Sequence, residues 1–80
     1  MKIIAFDIEK GDIIKVRDFR GSKCVKILDR GSANSVYADF CFEGVGVYGK
    51  EVDPNTFEET NKEYRKIFDI LDDVELVMRR

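Results

Sequence analysis

The stretch DIIKVRDFRGSKCVKILDRGSANSVYADFCFE, residues 12–43, decides how this chain is to be folded. Gly21-Ser22 separates two apolar-rich runs, Ile13 to Phe19 and Cys24 to Leu28, and glycine in the first central position is what a type II′ two-residue hairpin needs. That turn sets Arg20 opposite Lys23, Phe19 opposite Cys24 and Arg17 opposite Lys26. Gly31-Ser32-Ala33-Asn34 reads as a four-residue loop of turn formers leading into the next strand. It brings Lys26 opposite Asp39, Leu28 opposite Tyr37, Ile27 opposite Ala38 and Cys24 beside Cys41. The register gathers Val16, Val25, Ile27, Val36, Ala38 and Phe40 on one side and makes an opposite-charge pair on the other.

Working outward towards the amino terminus, Ile3 to Ile8 alternates with Ala5 and Asp7, and Glu9-Lys10-Gly11 reads as a three-residue loop with left-handed glycine. Ile8 then pairs with Asp12, Phe6 with Ile14 and Ile4 with Val16. The expectation is an antiparallel meander with strands at about 2–8, 12–19, 23–30 and 35–43.

Towards the carboxyl terminus, Gly44-Val45-Gly46-Val47-Tyr48-Gly49 spells the letters of a dinucleotide fingerprint. The parallel strand-helix-strand unit that gives those letters their meaning is missing, so the glycines mark a bulge, a bend or a close backbone approach. Thr56-Phe57-Glu58-Glu59 has the form of a capping box, and Tyr64, Ile67, Phe68 and Leu71 recur at helical spacing, predicting a helix over 57–71. Val74 to Met78 alternates as a last short strand. The expected fold class is therefore α+β: a four-stranded antiparallel meander packed on one C-terminal helix, with a short last strand, in one small domain over residues 1–80. A rival reading makes Ile67 to Leu71 and Val74 to Met78 a hairpin over Asp72-Asp73. Together with the turn-then-strand run Lys10 to Val16, it keeps a small SH3-like β-barrel as the alternative fold.

Composition is that of an ordinary folded globule, with 44% apolar and 38% charged residues and one proline. The net charge of −2 is unevenly spread: residues 1–34 carry a balance of +3 and residues 35–80 a balance of −5. No run of 18 apolar residues occurs, and Asp7 interrupts the amino-terminal apolar run too early for a signal peptide, so a cytoplasmic protein is expected and a membrane partner is not. Two cysteines, Cys24 and Cys41, make no disulfide framework and, without histidine, no zinc site. They are expected to stay reduced.

Catalysis is hard to assemble from this inventory. Histidine, the usual general base, is absent, and no serine or cysteine sits in a nucleophile motif. The adjacent acids Glu58-Glu59 and Asp72-Asp73 read as helix punctuation, since neighbouring helical residues diverge. No enzyme activity, cofactor, metal or small-molecule ligand is expected. The expected binding surface is the sheet face away from the helix, with Lys15, Arg17, Phe19, Lys26, Leu28, Arg30 and Tyr37 interleaving cations with rings and aliphatic groups. It supports a non-catalytic binding or regulatory module that engages a protein partner or itself as a homo-oligomer. Single-stranded nucleic acid, whose bases stack on rings and whose phosphates follow cations, is the alternative. The acidic second half weighs against it.

Overall fold

The fold is one antiparallel sheet, and the computed structural model describes it over residues 1–37 and 40–79, with side chains apart from those of 33–42. The strands are β1 (Lys2–Ile4), β2 (Ile13–Asp18), β3 (Gly21–Tyr37), β4 (Phe40–Val52), β5 (Glu59–Asp69) and β6 (Asp73–Met78). A single 3-10 turn, Ala5–Asp7, follows β1. The sheet order is β1-β6-β2-β3-β4-β5. It curls so that the Ala5 and Phe6 amides donate to the carbonyls of Asp72 (2.8 Å) and Ile70 (3.1 Å), joining the β1 end to the corner after β5. Among the described residues no helix is long and apolar enough to cross a membrane.

The expected α+β architecture is thus corrected: among the described residues no helix packs on a four-stranded meander, and residues 59–69 form a strand along β4. Two periods compete in that segment. The helical set Tyr64, Ile67, Phe68, Leu71 leaves Ile67 57% exposed and Leu71 69% exposed, whereas a period of two puts Tyr64, Phe68 and Ile70 against the core. The strand wins because the core it faces is already built by β-strands. The supposed capping box serves a turn instead. Asp53 Oδ1 accepts from the Asn55 (2.7 Å) and Thr56 (3.2 Å) amides, and Thr56 Oγ1 accepts from the Glu58 amide only two residues on. The rival hairpin over Asp72-Asp73 does not form either, since β5 pairs with β4 and β6 with β1 and β2.

The hairpin from β2 to β3 turns on Phe19-Arg20, with Asp18 opposite Gly21, not on Gly21-Ser22. Aspartate at the first and glycine at the fourth position suit a type I turn, and Asp18 Oδ1 clasps the Arg20 amide at 2.7 Å while Gly21 takes φ +123°. The pairing slips by four residues from the expected one, an even number, so no side chain changes face and Ile14, Val25 and Ile27 are still core. The loop expected at Gly31-Ser32-Ala33-Asn34 is continuous strand. Gly31 pairs with Gly46 and Ala33 with Gly44, which matches small residues across the ladder. Lys26 therefore faces Lys50, Cys24 faces Val52 and Cys41 faces Val36; Ala38 and Asp39, the other expected partners, lie outside the described residues. The two cysteines stand eleven positions apart along β4, about 35 Å of strand. The first strand pairs with β6 and not with β2, so the expected Phe6–Ile14 and Ile4–Val16 pairs are not made.

The inner face of the curled sheet buries Ile8, Ile14, Val25, Ile27, Val45 and Val47 with Phe68, Val74 and Leu76, at ~1.5–3 kcal/mol per large side chain. A smaller cluster on the outer face, Ile13, Cys24 and Val52, is covered by Phe57, whose φ of 61° bends the β4–β5 loop over it. At Leu28 the β3–β4 register shifts by one. Near this bulge the strands crowd: a Cβ on Gly49 would overlap the Lys26 carbonyl oxygen and lie 3.0 Å from Val25 Cγ1.

Asp12 is the one buried charged residue among those described. Arg79, just beyond β6, donates to it through Nε (3.1 Å) and Nη2 (3.0 Å), and the Glu9 amide donates to Oδ2 at 2.9 Å. The carboxylate raises the Arg79 pKa above its ordinary value, chiefly through these side-chain hydrogen bonds.

Gly49→Ala is expected to lower stability by about 1–3 kcal/mol in urea unfolding, whereas Gly31→Ala, which meets open space, stays within about 0.5 kcal/mol of the parent. Asp12→Ala, which strips three hydrogen bonds from a buried site, is expected to cost about 1.5–3 kcal/mol in the same assay.

Candidate binding groove

The sheet ends do not meet along their whole length. β5 is the last strand in the order, so its outer edge, heavily charged through Lys62, Glu63, Arg65 and Lys66, faces no partner strand among the described residues. Across the gap stand β2 and β6. At one end side chains bridge it: Lys23 lies 3.5 Å from Asp18 and 5.4 Å from the Tyr64 ring.

Beside that bridge the gap opens into a groove of about 520 Å³. Its floor is Val16, Phe68 and Val74, the outer rim of the core. Four cations line it, Lys2 from β1, Lys15 and Arg17 from β2, and Lys66 from β5, against two acids from β6, Asp73 and Glu75. The strand register explains the assembly. Lys2 and Lys15 both stand opposite Glu75 on the outer face, while Lys66, on the inner face of β5 between Tyr64 and Phe68, reaches the opening with its ammonium 4.9 Å from the Phe68 ring centroid. Among the described residues none of the four cations has a carboxylate within 4 Å, and Glu75 is 3.7 Å from the amino terminus instead. Such a groove attracts an anionic group and offers it an apolar bed; the adjoining strand edge offers main-chain donors and acceptors.

The residues expected from sequence to form one surface divide into five places. Lys15 and Arg17 enter the groove. Phe19, 95% exposed, tips the β2–β3 turn with the Arg20 guanidinium 5.5 Å from its ring. Lys26 is half-buried and 3.5 Å from Glu59, and Leu28 is half-buried at the bulge. Arg30, turned to the inner side by the bulge, lies 5.9 Å from the Phe6 ring and donates to the Phe6 carbonyl at 3.1 Å. Tyr37 pairs with Phe40 at the far end of the β3–β4 hairpin, and its side chain lies outside the described ones. Lys2 and Lys66 were missed. Lys66 is legible only once 64–68 is read with a period of two, as ring, cation, ring on one side.

Two tyrosines, Tyr48 on β4 and Tyr64 on β5, have shifted pKa values. Tyr48 donates to Glu63 Oε1 at 2.9 Å, and this hydrogen bond is the main reason its pKa lies above the ordinary 10.0. Burial, followed by the charge of Asp18, raises Tyr64. Comparison with known protein families, with curated proteins and with solved structures returned no match.

Because the folded chain holds both phenols protonated beyond the pH at which the unfolded chain ionises them, their contribution is intact below about pH 10. It is expected to disappear as pH climbs past that value. Urea midpoints measured from pH 8 to 11, about the ordinary tyrosine value, should fall on the alkaline side, and less steeply in Tyr64→Phe.

Proposed function

We propose that the chain is a non-catalytic binding module whose ligand is an extended, acidic, ring-bearing segment of a protein. The observation that carries this reading is the set of four cations that, among the described residues, have no carboxylate partner and stand over an apolar floor beside a strand edge with no described neighbour. Acidic side chains meet Lys2, Lys15, Arg17 and Lys66, a ring or aliphatic group rests on Val16, Phe68 and Val74, and the backbone of the segment pairs with β5. The acids Asp73 and Glu75 set the register by repelling a carboxylate placed against them. The reading puts the protein in the cytoplasm, which the free, buried thiol of Cys24 supports.

A second reading, single-stranded nucleic acid, draws on the exposed Phe19 ring and its Arg20 neighbour. The net charge of −2 and the two acids in the groove weaken it.

Fluorescence anisotropy with a labelled peptide alternating aspartate and phenylalanine, run beside a labelled oligothymidine, separates the two readings. The peptide is expected to bind and to weaken with added salt. Lys15→Glu/Arg17→Glu/Lys66→Glu is expected to weaken it about tenfold or more, since three exposed contacts of ~0.2–1 kcal/mol each turn repulsive. Peptide binding that ignores the charge reversal overturns the reading, and retention of the oligothymidine alone transfers it to nucleic acid.

A further inference from the structure

Resting on that reading of the groove, we infer that the segment it takes is the β3–β4 arm of a second copy of this chain. The arm is the part of the hairpin that neither neighbour covers. β2 pairs with β3 only from Gly21 to Lys26, and β5 pairs with β4 only from Gly44 to Val52. Beyond those limits, Ser32 to Tyr37 and Phe40 to Glu43 pair solely with each other among the described residues, leaving a two-stranded ribbon with both outer edges free. An isolated ribbon of two strands is marginal in water and gains from a third strand.

The chemistry of the arm matches the groove. From Gly31 to Gly49 the sequence contains no lysine or arginine, and it carries Asp39 and Glu43 together with Tyr37, Phe40, Phe42 and Tyr48. That is an acidic, ring-bearing segment, opposite in charge to the four cations and in strand conformation over Gly31 to Tyr37 and Phe40 to Gly49. Its own groove is out of its reach, because the ladder from Cys24–Val52 to Tyr37–Phe40 carries the hairpin tip along a single continuous pair of strands, away from the β2–β5 gap, in a chain whose overall extents are 45 × 23 × 21 Å. Each copy has one arm and one groove, so reciprocal exchange satisfies both in a dimer.

Sedimentation equilibrium of three proteins tests this. The parent chain is expected to move from 9.3 kDa towards twice that mass as concentration rises. An arm-shortened form, with Ser35 to Phe42 replaced by Asn-Gly, and the groove form Lys15→Glu/Arg17→Glu/Lys66→Glu are each expected to remain monomeric, with circular dichroism confirming that both fold. Mixed together, these two forms still supply one native groove and one native arm, so they are expected to combine one to one. A parent chain monomeric at its highest soluble concentration overturns the inference, as does assembly that survives in either variant or a mixture that does not combine. If the aspartate-phenylalanine peptide binds the groove while the parent stays monomeric, only the choice of occupant fails. If neither engages the groove, the binding reading falls with it.

Discussion

The buried pair of Asp12 with Arg79 locks the corner where the β1–β2 loop, β3 and the end of β6 come together. Asp12 sits in the loop between β1 and β2, and its carbonyl accepts from the Ile27 amide at 2.8 Å while the Gly11 amide donates back to the Ile27 carbonyl at 2.8 Å. The loop is thereby stitched to β3 immediately before the bulge. Its carboxylate then reaches Arg79 at the end of β6, and Arg79 Nη2 also donates to the Asp7 carbonyl at 2.7 Å. Through its backbone and its buried side chain together, Asp12 so fixes the loop, the third strand and the last strand relative to each other. A carboxylate in that place is tolerable because it is fully met by donors, and removing them leaves a charge without solvent.

From this tie the walls of the groove follow. β6 is held between β1 and β2, which sets Lys2 and Lys15 on either side of Glu75, and the curl of the sheet then carries β5 round until Lys66 and Phe68 face Val16 and Val74. Side-chain contacts between Lys23, Asp18 and Tyr64 close the gap at one end without main-chain pairing. The opening beside them is what remains when a six-stranded sheet curls but its two end strands do not pair.

Much of the inner face could be read from residue types. Ile14, Val25 and Ile27 alternate, Gly11 takes the left-handed conformation its loop demanded at φ +90°, and the last strand lies at 73–78. The errors have local causes. Asp18 and Gly21 together define a turn that Gly21 with Ser22 only imitates, and the even slip between the two registers hid the mistake from any test based on faces. In 59–71, charged residues fill so many positions that a period of two finds three apolar matches and one of 3.6 finds four. Only the neighbouring strand β4, itself misplaced by the loop formers at 31–34, could have decided between them. The groove was lost with β5, since Lys66 joins Lys15 and Arg17 through tertiary curl alone.

The one-residue bulge at Leu28 separates two structural regimes in a single pair of strands. Before it Val25 and Ile27 look inward; after it the inward set passes to Arg30, opposite Val47. Val45 and Val47, opposite Ser32 and Arg30, still pack in the core, and β5 still pairs with β4 as far as Gly44; past that point, among the described residues, the hairpin's strands pair only with each other. The span of that outer ladder is accordingly a free variable: adding or removing matched residues there, one on each strand, changes its reach by about 3.3 Å a step, and the curled sheet that carries it is left as it was.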